Sequence, residues 1–258
     1  MSLIQDISHS LIPLNRLYYF GRMKEREVVY RPGNGARFFV RVNSPDQYTI
    51  WETWKLKSYE DKNYAIKETD TIIDIGANIG SFSIWAAVSA RKGRIFSYEP
   101  DEKSFNQLVR NRNLNRCFNI RCFRVGVYDK QGKRAFYAQP ESNNAMSSLF
   151  PDKYATKTVV PCTSLDQIVR SHRLKTIDLL KIDAEGAEYP ILFHASRASL
   201  DKIRRIYFEY HDYLHHEYRI ADLLVFLRSY GFSVKVSRSF LNLKHLLFNV
   251  GFVKAFRS

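Results

Sequence analysis

The stretch TDTIIDIGANIG, residues 69–80, decides how the rest of the chain is read. Thr71, Ile72, Ile73 and Ile75 form an apolar, β-branched run that suits a strand covered on both faces, as in a parallel sheet. Asp74 interrupts the run near its end. Gly76 and Gly80 then bracket a turn, and in SFSIWAAVSA (81–90) Phe82, Ile84, Trp85 and Val88 recur at roughly helical spacing. Strand, glycine turn and helix follow one another, an order that lets backbone N–H groups and a helix N-terminus face a ligand.

Outward from this unit the pattern repeats. RIFSY (94–98) reads as a second strand ending at Glu99-Pro100, and DEKSFNQLVRNRNLN as a helix with Phe105, Leu108 and Val109 on one face. FNIRCFRVGV (118–127) reads as a third strand. Residues 128–162 hold a turn at Asp129–Gly132, two strand-like runs, KRAFYA and KTVVPC, and a polar loop, QPESNNAMSSL, which together predict a β-hairpin insertion. The series resumes with a helix at 164–171, the strand TIDLLKID (176–183), a helix through AEYPILFHA with Pro190 in its first turn, and the strand RRIYFEY (204–210). RIADLLVFLRSYG gives a further helix, and FSVKV and NVGFVKAF the last two strands. Alternating strands and helices predict an α/β fold with a mostly parallel, doubly wound sheet. Residues 1–68, with the strand-like VVYR and ARFFVRV and the aromatic helix DQYTIWETWKLKSYE, read as a cap on the domain formed by residues 69–258.

The 258-residue chain is 45% hydrophobic, enough for one elaborated domain, and its formal net charge is +14. The charge is uneven: residues 91–134 hold twelve Lys or Arg against four acids, and from Lys235 to Ser258 no acid occurs. Such a field attracts nucleic acid, acidic glycans or anionic membranes without choosing among them, and is also what a solvated basic surface looks like. Three cysteines, Cys117, Cys122 and Cys162, make an odd set with no C-x-x-C pair, which argues against a disulfide framework and for a reducing interior. With no secretory pattern at the N-terminus and no run of 18 apolar residues, the expectation is a cytoplasmic protein. The mixed basic and apolar stretch RSFLNLKHLLFNVGFVKAFRS leaves peripheral contact with an anionic membrane open, beside its plainer reading as a loop or helix leading to a core strand.

In open α/β sheets the ligand lies beyond the carboxyl ends of the strands, at the switch point beside the first one. Asp74, Gly76, Ala77, Asn78 and Gly80 fall there. A dinucleotide turn calls for G-x-G-x-x-G, whereas this turn is D-x-G-x-x-x-G with Asn78 in the place of the second glycine, which weakens the case for a nicotinamide cofactor. Glu99, next to Pro100, ends the second strand 25 residues after Asp74, where a carboxylate accepts both hydroxyls of a ribose. The two acidic strand tips and the glycine turn describe a site for a nucleoside with a charged amino-acid tail, S-adenosylmethionine. A plain strand-to-helix connection is the competing reading of the turn.

DTIIDIGANIGSFSIWAA, FSYEPDEKSFNQLVRN, SSL, VPCTSLDQI and above all IDLLKIDAEGAEYPIL resemble the FkbM family of S-adenosylmethionine-dependent methyltransferases, from about Phe38 to the last strand. The resemblance implies a class I methyltransferase fold, Rossmann-like, with a seven-stranded sheet whose final strand is antiparallel. It also implies methyl transfer to oxygen on a sugar, glycan or polyketide-like natural product, and it sets Ser147-Ser148 near the site. It does not choose the acceptor.

A second constellation follows the fourth and fifth strands: Asp183, Glu185 and Glu188, then Glu209 and His211. Glu185 and Glu188 also suit the N-terminus of the next helix, where carboxylates are favourable, but Asp183 ends an apolar strand and has no such explanation. A sugar hydroxyl needs a base to take its proton, or a metal to acidify it. Asp183 or His211 serves as the base in one reading. In the other, Asp183 and Glu209 hold a divalent cation, as in methyltransferases of the catechol type, and the base is favoured because few oxygen ligands are on offer. His211 alternatively lines a polar pocket, and His215-His216 read as surface residues. Nucleic-acid methylation is disfavoured because KIDAEGAE stands where an Asn-Pro-Pro-aromatic or Asp-Pro-Pro-aromatic motif would be. A cofactor-binding module without catalysis is the remaining alternative.

Overall fold

The computed structural model describes residues 6–8, 27–42, 44–54, 65–139, 147–150, 155–214, 217–237 and 249–257. Three strands open the chain, β1 (Asp6–Ser8), β2 (Glu27–Gly33) and β3 (Ala36–Arg41), in a small sheet of order β1-β2-β3, and the helix Asp46–Trp54 follows. β4 (Thr71–Ile75), with all five residues buried, and β5 (Arg94–Tyr98) are the strands read first from the sequence. β6 (Ile120–Phe123) completes that half of the main sheet, while β7 (Gly126–Tyr128), β8 (Gly132–Ala138) and β9 (Thr156–Ser164) form a separate one. β10 (Leu179–Ile182), β11 (Arg205–His211), β12 (Ser233–Ser237) and β13 (Val250–Phe256) supply the other half.

The main sheet has seven strands in the order β12-β13-β11-β10-β4-β5-β6. Its ladders are parallel except those of β13, which runs antiparallel to both β11 and β12. This is the class I methyltransferase topology. Successive residues of a strand face opposite sides, so Ile73 and Ile75 join the core under the helices Leu165–Ser171, Glu188–Phe193 and Ile220–Ser229, while Ile72 joins the core under the helix Ser81–Ser89. Each such fully buried aliphatic side chain contributes roughly 1.5–3 kcal/mol. The helices after β4 and β10 leave on opposite faces, and a crevice opens between these adjacent strands at their carboxyl ends.

The N-terminal elements share the second of these cores. Val28, Phe38, Val40 and Ile50 pack with Ile72, Ile84 and Ile95, and Trp54 meets Phe38 edge to face at 5.7 Å. The outer edge of β3 is covered by side chains of the helix Glu102–Leu114 and its cap. Asn111 accepts from Phe39 N (2.7 Å), Asn115 from Arg37 N (2.9 Å), and Gln107 and Asn115 donate to the carbonyls of Phe39 and Arg37. Side-chain amides here do what a neighbouring strand would do, and the edge is closed to other chains. The helix Asp46–Trp54 is fixed at its start by Asp46, which takes a two-pronged bond from the Arg41 guanidinium, and farther along by Thr49 and, at its end, Trp54, both bonded to Ser81.

Two sequence expectations change. The strand foreseen over 118–127 is two: β6 pairs with β5 and stops at Phe123, whose carbonyl accepts from Glu99 N, and after Arg124 and Val125 the chain restarts as β7 beside β9. The insertion is accordingly a three-stranded sheet, its hairpin β8–β9 extended by β7 in parallel. The strand in TIDLLKID narrows to Leu179–Ile182, with Ile177 in an isolated bridge to Ile203. Pro190 does lie in the first turn of its helix. Among the described residues no helix is long and apolar enough to cross a membrane, and Cys117, Cys122 and Cys162 are free thiols. Residues 140–146 of the polar loop, His215-His216 and the basic segment 238–248 lie outside the described residues.

Candidate active site

A cavity of about 490 Å³ opens at the carboxyl ends of β4, β5, β10 and β11. Gly76, Asn78, Tyr98, Glu99 and Pro100 line one side, and Asp183, Glu185, Glu209 and His211 the other. Tyr48, Thr49 and Glu52 enter from the N-terminal helix, and Ser147, Ser148 and Leu149 from the insertion. Of the residues read as cofactor ligands, Asp74, Ala77 and Gly80 do not line the cavity.

The turn after β4 is built by backbone. Gly76 N and Ala77 N both donate to the carbonyl of Tyr98 at 3.0 Å, and Gly76, Asn78 and Gly80 all have positive φ. A Cβ on Gly76 would lie 1.7 Å from the carbonyl oxygen of Asp183, so this glycine is required where two strand ends nearly touch, rather than to clear the path of a ligand. Asn78 N donates to Glu99 Oε2 (2.7 Å) and Asp101 N to Glu99 Oε1 (2.8 Å). Burial pushes the Glu99 carboxyl up to about 8, against the pull of those two N–H groups. Asn78 Oδ1 is buried without a hydrogen-bond partner among the described residues.

Asp74 lies beneath the turn, fully buried, accepting from Ser83 Oγ. It reaches the site through Lys181, whose ammonium is 3.3 Å from Asp74, 3.4 Å from Asp183 and 3.1 Å from the carbonyl of Gly76. Lys181 is only 4% exposed. Burial alone would depress its pKa, but Asp74 and Asp183 outweigh that and keep it charged.

On the acceptor side, His211 is held by Glu188. One oxygen of this fully buried carboxylate accepts from His211 N (2.8 Å) and faces His211 Nδ1 (3.0 Å), while the other accepts from Gly186 N (2.9 Å). His211 Nε2 turns toward Glu185, 3.5 Å away. Burial would lower the His211 pKa, but Glu185, Glu188 and Glu209 carry it well above the ordinary value, so the imidazole is charged in this arrangement. Burial, with Asp183, Glu185 and Glu52 beside it, raises Glu209 well above the carboxylate range against the pull of His211. Burial and Asp183 lift Glu52 to about 7, with Lys181 opposing. Ser148 bridges back to Tyr137 of β8, and Ser147 Oγ accepts from Gln139 N, which fixes the described end of the loop at the cavity wall. Among the described residues no group of three or more His, Cys, Asp or Glu is arranged to hold a metal ion.

Sequence reasoning missed Lys181, Glu52 and Tyr48 and undervalued Glu188. Lys181 had a signal: it is the one charged residue within a fully buried strand, LLKI. Glu188 was visible only as an acid at a helix start. Glu52 and Tyr48 had none, since nothing in the sequence ties the N-terminal helix to strand ends far along the chain.

Comparison with known proteins gives a consistent picture. The family described as "Methyltransferase FkbM domain" matches residues 74–234. The chain is 25% identical over 232 residues to "31-O-demethyl-FK506 methyltransferase FkbM" of Streptomyces tacrolimicus, covering 78% of this chain and 87% of that one. It is 24% identical over 180 residues to "Hexuronic acid methyltransferase AglP" of Haloferax volcanii, covering 67% and 69%. Among solved structures it is similar to M. jannaschii TYW2 in complex with AdoMet, at 16% identity and a TM-score of 0.46, over 92% of this chain and 89% of that one.

Proposed function

The chain belongs to the FkbM family of methyltransferases, and we propose that it carries a methyl group from S-adenosylmethionine to a hydroxyl oxygen of a sugar, glycan or related natural product. The cofactor supplies an electrophilic methyl on a sulfonium sulfur. The residues fit it: Glu99 is fixed by Asn78 N and Asp101 N with lone pairs left for the two ribose hydroxyls, and the unpartnered Asn78 Oδ1 offers an acceptor to the amino-acid tail. Glu99 at the tip of β5 is the observation that supports this reading most, because burial of a carboxylate there is costly and the cavity it lines gives it a ligand to meet.

In this reading Gly76, Asn78 and Pro100 line the cofactor's bed, Ala77 and Gly80 hold the turn behind it, and Asp74 acts from below through Lys181. Asp183 takes the hydroxyl proton as the new carbon–oxygen bond forms and the carbon–sulfur bond breaks, while Glu209 and His211 face the acceptor. A base is favoured over a metal because the Lys181 ammonium already stands beside Asp183, where a cation would have to come. We read residues 1–68 as a cap on the same domain, an assignment supported by the shared core and the amide-stitched edge of β3.

Titration with S-adenosylmethionine and with NAD tests the cofactor, and transfer of labelled methyl to a panel of glycosides and polyols tests the reaction. Binding of the first with label appearing on oxygen is expected. Binding of NAD instead, or label on a ring or amide nitrogen, would overturn the reading.

A further inference from the structure

The acceptor half of the cavity is acidic in a chain whose formal charge is +14. Glu52 arrives from the N-terminal helix, Glu185 from the turn after β10 and Glu209 from β11, all close to Asp183. Among the described residues that line the cavity there is no Lys or Arg, and His211 is the cation on the wall, with Lys181 beneath the floor. Burial first, and the neighbouring acids second, disfavour the ionised forms of Glu52 and Glu209, and a positive charge brought beside them would offset both costs.

A second feature of the cavity points the same way. Tyr48 and Tyr213, 50% and 41% exposed, line its mouth beside these acids, with Tyr48 within electrostatic reach of Glu52 and Glu209. Aromatic rings next to carboxylates attract an organic cation, through the ring quadrupole and the charge together.

We propose that the acceptor presents a protonated amine to Glu52 and Glu209, so that the substrate is an amino sugar or a similarly aminated polyol and carboxylate-bearing acceptors are rejected. The proposal rests on the methyl-transfer reading of this cavity. It makes Glu52, delivered by the N-terminal cap, a specificity residue. A uronate would add a further carboxylate to Glu52, Asp183, Glu185 and Glu209, whereas a neutral sugar brings no charge to meet them.

Three matched probes test it, the methyl glycosides of glucosamine, glucose and glucuronic acid. Their binding to protein loaded with S-adenosylhomocysteine is measured by NMR titration, and their methylation is measured separately with S-adenosylmethionine. The amine should bind at least tenfold tighter than the neutral sugar and the acid weakest. Glu52→Gln and Glu209→Gln should each shrink the preference for the amine at least threefold with cofactor affinity unchanged. Equal binding of the three, no detectable binding of any, a preference for the acid, or a preference that both variants retain would overturn the proposal. The expected binding order without methylation of any probe would support the charge selection and tell instead against the hydroxyl-transfer reading.

Discussion

Gly76 runs so close beneath Asp183 that a Cβ on it would stand 1.7 Å from the Asp183 carbonyl oxygen, and its φ is +75°. The turn after the first sheet strand and the acceptor-side acid are therefore one mechanical unit. Gly76→Ala should cost more than about 2 kcal/mol of stability, since left-handed strain and a backbone clash add together. Gly35, with φ +78° and nothing within 4 Å of where a Cβ would stand, provides the control: Gly35→Ala should cost only about 1 kcal/mol. Denaturant unfolding of both variants checks the difference, and equal losses would mean that the close approach is not felt.

Glu99 should couple cofactor binding to pH. Burial raises it to about 8, and two ribose hydroxyls need the ionised form to accept them. Affinity for S-adenosylmethionine should therefore rise between pH 6 and 8. Glu99→Gln should weaken binding more than tenfold at pH 8, through loss of charge-assisted bonds worth roughly 1.5–3 kcal/mol each, and should flatten that rise. Calorimetric titration across this range reads both, and a variant with an unchanged slope would remove Glu99 from the ribose.

The parts of this site that the sequence revealed are those set by local pattern. Ile72, Ile73 and Ile75 made β4 legible because both faces are buried, and Glu99 was found by its place at the end of the next strand. The break between Phe123 and Gly126 was not legible, because the two pieces differ only in which distant strand they pair with, β5 or β9. The same limit hid Glu52: its helix reaches the cavity through contacts of Arg41 with Asp46 and of Trp54 with Ser81, none of which leaves a periodicity. Glu188 was misjudged for the opposite reason, since an acid opening a helix already has a sufficient local explanation.

Removing the Glu188 charge should release His211. The folded-state pKa of His211 is raised, so its contribution to stability is fully present below the unfolded value near 6.5 and is lost as pH rises through the folded value. Glu188→Gln should move that loss to lower pH and bring the His211 ring signal, followed by NMR, back toward ordinary titration. An unchanged His211 titration would mean that Glu185 and Glu209 alone hold the imidazolium.

Lys181 separates two carboxylates, one of them fully buried, and should be more important to the fold than its place beneath the cavity floor suggests. Lys181→Met leaves Asp74 without its cation at a site closed to water, and loss of about 3–5 kcal/mol is expected. The double variant Lys181→Met with Asp74→Asn should recover a large part of it, because the buried charge is then gone as well. Thermal unfolding of the pair decides, and simple additivity of the two losses would show that the residues are not coupled.

Asp183 separates the base from the metal mechanism. If it takes the hydroxyl proton, Asp183→Asn should keep the fold and the cofactor affinity, lower turnover by roughly 10²–10⁴-fold, and leave the wild type indifferent to chelator. If Asp183 and Glu209 hold a divalent cation, chelator should abolish wild-type activity, Mg²⁺ or Mn²⁺ should restore it, and Glu209→Gln should fail as completely as Asp183→Asn. The Lys181 ammonium 3.4 Å away favours the first outcome, since a second cation beside Asp183 would be repelled by it. Full activity of Asp183→Asn, with or without metal, would reduce this side chain to a partner of Lys181. The proton would then have to go to Glu185, which lines the cavity 3.5 Å from the charged His211, and Glu185→Gln would become the more damaging of the two substitutions.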